Sequence, residues 1–122
     1  MRGAEDEYKR ALELSPNDAA ALVGFSDWLL SMGRLDEALD WIRRARELDP
    51  VGVSGTDIGV VFFHAHRYDE AIREERSALA LRPNSATANW FLGMALVANG
   101  QTNEAVRCWK KHVLSAAEQA WE

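Results

Sequence analysis

Apolar positions along this chain keep the spacing of an α-helix, and the helices they predict come in pairs. Leu22, Phe25, Trp28 and Leu29 share one helical face. Asn17 and Asp18, just after Pro16, supply N-cap candidates, and Gly33 offers the left-handed residue that ends the helix. Leu35, Ala38, Leu39, Ile42, Ala45 and Leu48 then form a second apolar face, which stops at Pro50 because proline cannot continue the hydrogen-bond ladder. The pattern returns with Tyr68, Ala71, Ile72, Ala78 and Leu81 before Pro83. It returns again with Trp90, Leu92, Gly93, Ala95 and Leu96 after the capping pair Asn84-Ser85. One first helix is crowded by Gly52, Gly55 and Gly59. Each helical glycine costs about 1 kcal/mol against alanine, so this helix is expected to start late, at Ser54 or Thr56, and to be the softest part of the chain. After the turn at Asn99-Gly100, the last helix carries Ala105, Val106, Trp109, Val113, Ala116 and Ala120. One long helix is predicted from Thr102 onward, in preference to a break at a Ser115–Glu118 capping box.

These elements repeat with a fixed period. Ala4, Ala38, Ala71 and Ala105 are spaced by 34, 33 and 34 residues; Pro16, Pro50 and Pro83 by 34 and 33; Gly33, His66 and Gly100 by 33 and 34. A period of this size marks a stacked helical array. The stretch from Ala4 to Pro16, with Tyr8, Ala11, Leu12 and Leu14 on its apolar side, matches only a second helix. The expected organisation is therefore all-α with about seven helices: a half repeat over 4–17 and full repeats over 18–51, 52–84 and 85–122. Beginning inside a unit is expected of a segment of a longer protein or of a chain that begins unusually. Small residues recur where paired helices must approach closely: Ser26, Gly59 and Gly93 in the first helices, and Ala38, Ala71 and Ala105 in the second. No unit buries its apolar face alone, so neighbours stack and stability spreads along the array.

Several strings carry a resemblance. Ile58-Gly59 and Leu92-Gly93 fall in first helices. Asp36-Glu37-Ala38, Asp69-Glu70-Ala71 and Asn103-Glu104-Ala105 open second helices, and Leu48-Asp49-Pro50 and Leu81-Arg82-Pro83 close them. With the 34-residue period, the chain resembles the tetratricopeptide repeat family. The stretch from Ile58 to Pro83 also looks like repeats found behind the DNA-binding or kinase domains of some bacterial regulators. The resemblance implies a right-handed superhelix of antiparallel helix pairs, whose concave face is lined by first helices and receives a peptide or helix of a partner. Some members clamp acidic C-terminal tails there with Lys, Arg and Asn. The matching positions here are Val23, Asp27, Thr56, Val60, Phe63, Trp90, Met94 and Val97, none of them basic, so such a clamp is not expected. Asp27 and His64 are the polar exceptions in an otherwise apolar and aromatic groove. Trp90, Phe63 and Met94 either pack against neighbouring helices or anchor a partner segment. Trp28 and Trp109 are read as core, Trp41 as half-buried at a seam, and Trp121 as a cover for the last helix or a contact to another subunit. Glu75 stands where Tyr8, Ile42 and Trp109 stand in the other repeats. It is expected to reach solvent or to pair with Arg43 or Arg44, since a lone buried carboxylate is costly.

Composition narrows the function. The net charge of −5 argues against a nucleic-acid surface, which is normally basic. Cys108 is the only cysteine, so no internal disulfide forms, which fits a reducing compartment. The chain opens without a charged-then-apolar leader, and no apolar run approaches the length of a membrane span. A cytoplasmic location, with neither membrane nor nucleic acid as partner, is the expectation. His64 and His66 form an H-x-H, but residues two apart on a helix point to different sides and no cysteine completes a zinc set, so no metal is expected. Cys108 and His112 lie one helical turn apart, with no third group apparent to orient them. The glycines around residue 55 lack the lysine and strand of a phosphate loop. No cofactor motif remains. The sequence points to a non-catalytic module that binds a protein or peptide partner, apolar or amphipathic, in its groove. The alternatives are homodimerisation through uncovered terminal helices, and a regulatory segment of a larger bacterial regulator or kinase.

Overall fold

Seven helices follow one another: α1 (Arg2–Leu14), α2 (Ala19–Ser31), α3 (Leu35–Leu48), α4 (Gly55–His64), α5 (Tyr68–Leu81), α6 (Ala86–Ala98) and α7 (Thr102–Ala120). The computed structural model describes residues 2–120, with side chains over 3–114. The expected contact of Trp121 lies outside the described residues.

The helix boundaries follow local chemistry. Asp18 accepts a hydrogen bond from the Ala21 amide at 3.2 Å and caps α2; Ser85 does the same for α6 through the Ala88 amide at 3.2 Å. The glycine-crowded α4 starts late, as expected, with Ser54 and Asp57 forming a reciprocal capping box that satisfies two otherwise orphaned amides. The turns after α2, α4 and α6 each need one residue in the left-handed region. Gly33 and Gly100 take it at φ of 77° and 82°, and His66 takes it at 62°. Second helices open with an arginine that reaches forward one turn, Arg34 to Glu37 and Arg67 to Glu70; in the last repeat Gln101 reaches Glu104.

Two layers result. Each helix packs on its neighbour in sequence, α1 on α2, α2 on α3, and so on to α6 on α7. In the inner layer α2 also touches α4, and α4 touches α6. Among the described residues the outer helices α1, α3, α5 and α7 make no such contacts with one another. First helices are thus drawn together while second helices fan apart, and the solenoid curves with α2, α4 and α6 on its concave side. Long charged side chains bridge the gaps in the outer layer: Arg46 of α3 donates to Glu74 of α5 at 2.6 Å, and Arg76 of α5 pairs with Glu104 of α7.

The core runs continuously between the layers, through Leu22, Leu29, Ile42, Ile58, Val61 and Leu96, all essentially sealed from solvent. Close approach happens at the predicted small residues. Ser26 is buried and donates to the carbonyl of Ala38 at 2.8 Å. A methyl group on Gly59 would come within 2.6 Å of Glu75 Oε1, and one on Gly93 would overlap the indole of Trp109. Trp109 packs edge-on into this gap and stacks on Trp90, centroids 5.7 Å apart.

Two stability changes follow. Gly93→Ala should cost about 1–3 kcal/mol in urea unfolding, because the added methyl would overlap the indole of Trp109 and force it out of its place. His66→Gly should gain roughly 1 kcal/mol by relieving a left-handed conformation that side chains disfavour, less whatever is lost from stacking on Tyr68.

Candidate functional site

The concave face is built from the sides of α2, α4 and α6 that point away from the outer layer. Val23 is half-buried and packs against the core, and Asp27 is exposed one turn later on α2. On α4, Thr56, Val60 and Phe63 are half-buried, and His64 is exposed with Nδ1 at 2.8 Å from the Val60 carbonyl. Phe63 sits in an aromatic group with Phe91, Tyr68 and His64, at centroid distances of 6.0, 5.9 and 5.4 Å, so it serves largely to join repeats. On α6, Trp90 is 55 % exposed and Val97 42 %, with Met94 half-buried between them. Trp90 is therefore the largest apolar group this face offers to solvent, held in place by Trp109 beneath it.

Charge is sorted between the layers. The chain has 14 lysines and arginines, and α2, α4 and α6 contain none of them. The ionisable groups of these three helices are Asp27, Asp57 and His64. Partial loss of solvent around the Asp27 carboxyl raises it above its ordinary value, and the charge of Asp57 raises it further.

Glu75 corrects the expectation drawn from its position in the sequence. It reaches neither solvent nor an arginine: Arg43 lies over the Phe62 ring, Arg44 over Trp41, and the nearby Arg46 is taken by Glu74. The Glu75 side chain is 0 % exposed. The Thr56 hydroxyl donates to its Oε2 at 3.1 Å, and Oε1 has no hydrogen-bond partner. Burial pushes this carboxyl up to about 8; the Thr56 hydrogen bond opposes the shift, and Asp57 and Glu74 add to it. The sequence signal was present in Gly59, whose missing side chain leaves the space the carboxyl occupies, and in Thr56 opposite. Asp57, which completes the capping box of α4, is the other acid that sequence reasoning passed over.

The remaining candidate chemistry does not assemble into a nucleophilic site. Cys108 Sγ lies 3.6 Å from Asn89 Oδ1, and Asn89 Nδ2 lies 3.4 Å from His112 Nδ1, so the amide stands between thiol and imidazole. Burial, followed by the charge of Glu104, raises the Cys108 thiol, which is the opposite of activation. These residues border a cavity of about 420 Å³ between α5, α6 and α7. His64 and His66 are divided by the end of α4, and among the described residues no three potential ligands come together around a metal position. No described helix is long and apolar enough to cross a membrane.

Known proteins share this architecture. Tetratricopeptide repeat profiles match residues 1–52 and 56–110. A solved structure of the MamA protein superposes with a TM-score of 0.84 at 22 % identity, covering 98 % of this chain and 66 % of that one. The structure of YrrB, described as a TPR protein with an unusual peptide-binding site, superposes with a TM-score of 0.71 at 26 % identity, covering 87 % of this chain and 55 % of that one. Among curated human proteins, the chain is 29 % identical over 95 residues to protein O-mannosyl-transferase TMTC1 and 24 % identical over 105 residues to tetratricopeptide repeat protein 13. These alignments cover 78 % and 86 % of this chain but only 11 % and 12 % of the relatives' lengths.

The buried carboxyl sets a pH dependence. Glu75 keeps its proton in the folded state up to about 8, whereas the unfolded chain releases it near the ordinary 4.5. The stabilisation is complete below the unfolded value and is lost as pH rises through the folded one, at a rate of up to roughly 1.4 kcal/mol per pH unit. Glu75→Gln should flatten this part of the profile and exceed wild type at pH 8.5, as read by urea unfolding of both proteins from pH 5 to 9. Seven helices paired around small residues, with the period, caps and closing prolines of the repeat, place this chain in the tetratricopeptide repeat family.

Proposed function

We propose that this chain is a non-catalytic interaction module, whose concave face binds an extended or helical segment of a protein partner through Val60, Trp90, Met94 and Val97, with Val23, Asp27, Thr56, Phe63 and His64 forming the rest of the surface. The observation that carries this reading is Trp90: a large ring, more than half exposed on a concave face and braced from behind by Trp109. A pre-positioned aromatic loses little freedom on binding, which is why such groups dominate interface energy. The peptide-binding site named for YrrB supports the same use of the fold. The lone cysteine fits a cytoplasmic location.

The test uses peptides selected on the wild-type protein from a random twelve-residue display library, with affinities measured by fluorescence anisotropy. The double variant Val60→Glu/Met94→Glu, confirmed folded by circular dichroism, should bind at least tenfold more weakly, and Trp90→Ala should lose a similar factor. Equal affinities for wild type and both variants, or no selectable binder, would contradict the groove reading.

One observation favours self-association as a second reading. Val106, Val113 and Leu114 are 40 %, 63 % and 63 % exposed on the outer face of α7, and with Trp109 and Lys110 they border an open apolar depression of about 450 Å³. Exposed apolar patches of this kind mark interfaces. Sedimentation equilibrium should then show a dimer that Val113→Glu converts to monomer; a strict monomer at high concentration would rule this reading out.

A further inference from the structure

We propose that the cavity between α5, α6 and α7 binds a small aromatic carboxylate, its flat ring beside Cys108 and its acid group on Lys111 and Arg107. None of the groove residues lines this cavity, and the inference does not rest on the groove reading. Three observations converge on it.

The first is what fills the equivalent places elsewhere. Successive second helices are separated by seams, and the repeat register matches these seams position by position. In the seam of α1 and α3, Trp41 packs on Phe25 with centroids 5.4 Å apart, Arg44 lies over the Trp41 ring at 5.8 Å, and Leu12 lines the same gap. In the seam of α3 and α5, the counterparts of Leu12 and Trp41 are Arg46 and Glu74, whose ion pair at 2.6 Å bridges the gap. In the seam of α5 and α7, 67 residues beyond the first, the counterparts are Leu79 and Cys108. A thiol is far smaller than an indole, and the cavity here measures about 420 Å³ against about 310 Å³ in the first seam. What the third seam lacks, relative to the first, is a ring.

The second is charge. Arg107 and Lys111 line the cavity one turn apart on α7, and Lys111 stands in the register of Arg44. Neither pairs with a carboxylate among the described residues. The one acid in the lining, Glu104, is already held by Arg76 of α5 and by Gln101 at 3.2 Å. A ring in this seam would lie beneath Lys111 as Trp41 lies beneath Arg44. A carboxylate carried by that ring would meet the same two cations, with Arg107 offering a bidentate fork.

The third is a fixed polar wall. Asn89 is only 7 % exposed, and its amide is oriented by its neighbours. Nδ2 donates to the Ser85 carbonyl at 2.9 Å and stands 3.4 Å from His112 Nδ1, while Oδ1 faces Cys108 Sγ at 3.6 Å. The imidazole therefore accepts at Nδ1, which leaves its Nε2–H as a donor. Other repeats place Leu22 and Gly55 where Asn89 stands, and Ala45 and Ala78 where His112 stands, so this wall is polar in the last repeat alone. Leu79 and Leu92 complete the lining with apolar surface. Apolar walls with a few fixed polar groups are the usual make-up of a small-ligand site.

The probe is indole-3-acetate, with the neutral indole-3-acetamide as its control, followed by amide chemical shifts in nuclear magnetic resonance. The acid should give saturable shifts at Asn89, Cys108 and His112, and the acetamide should bind at least fivefold more weakly. Cys108→Trp, which fills this seam as Trp41 fills the first, should reduce binding at least tenfold. Lys111→Glu, at an exposed position, should weaken the acid at least fivefold and leave the acetamide unchanged. In the wild-type protein, saturating acid should slow alkylation of the single thiol by N-ethylmaleimide at least threefold, a readout that holds whether or not the variants fold. No saturable shifts, shifts that fall elsewhere, an alkylation rate the acid does not change, equal binding of acid and acetamide, or a folded Cys108→Trp that binds like wild type would each overturn the site. Val60→Glu/Met94→Glu should bind the acid as wild type does, so failure of the groove and failure of this site are read separately.

Discussion

Everything in this molecule depends on how closely the two helices of each repeat can approach. The contact is made where a first helix presents Ser26, Gly59 or Gly93, each with little or no side chain, to the second helix that follows it. The inner helices α2, α4 and α6 also touch one another, while among the described residues the second helices are bridged by long ion pairs. Curvature is the outcome of that asymmetry, and curvature creates the concave face. What fills the space opposite the small residue then sets the character of each repeat. In the last it is the indole of Trp109, which props Trp90 outward; in the middle it is the carboxyl of Glu75, which ties to Thr56. The same geometric slot yields an apolar anchor in one repeat and a buried acid in the next.

The separation of charge has the same origin. First helices pack on the outer layer and on one another and read as nearly continuous apolar runs, so the ionisable groups they keep are few: Asp57 in the cap of α4, and Asp27 and His64 at exposed positions. Second helices have an open outer side, and the arginines, lysines and glutamates collect there, where exposed pairs at one-turn spacing add a little stability each. A chain with net charge −5 thereby keeps its cations outside and turns an apolar, faintly acidic surface inward. That arrangement is unlike a basic clamp for acidic tails.

Most of the fold was legible in the sequence because it is written redundantly. The period, the caps at Asp18, Ser54 and Ser85, the left-handed turns at Gly33 and Gly100 and the closing prolines all agree, and each acts locally. The late start of α4 and the unbroken α7 were readable for the same reason. The groove positions followed from the repeat register, but the degree of exposure did not. Phe63 and Trp90 occupy similar faces, yet one is absorbed by Tyr68 of its own repeat and Phe91 of the next, and the other stands in solvent. Glu75 was misread because its partner was sought among the arginines of the preceding repeat, Arg43 and Arg44, whereas its environment is set by Gly59 and Thr56 on the helix it pairs with. A buried carboxyl with one hydrogen bond is a strained choice that propensity and pattern do not reveal.

The central claim is that partners dock on the side formed by α2, α4 and α6. Site-specific photo-crosslinking in the source cell tests it most directly, with a benzoylphenylalanine placed at Val60 on the concave side or at Ser77 on the exposed outer side of α5. The account predicts discrete crosslinked products from position 60 that are absent from position 77. The same products from both positions, or products from position 77 alone, would contradict it.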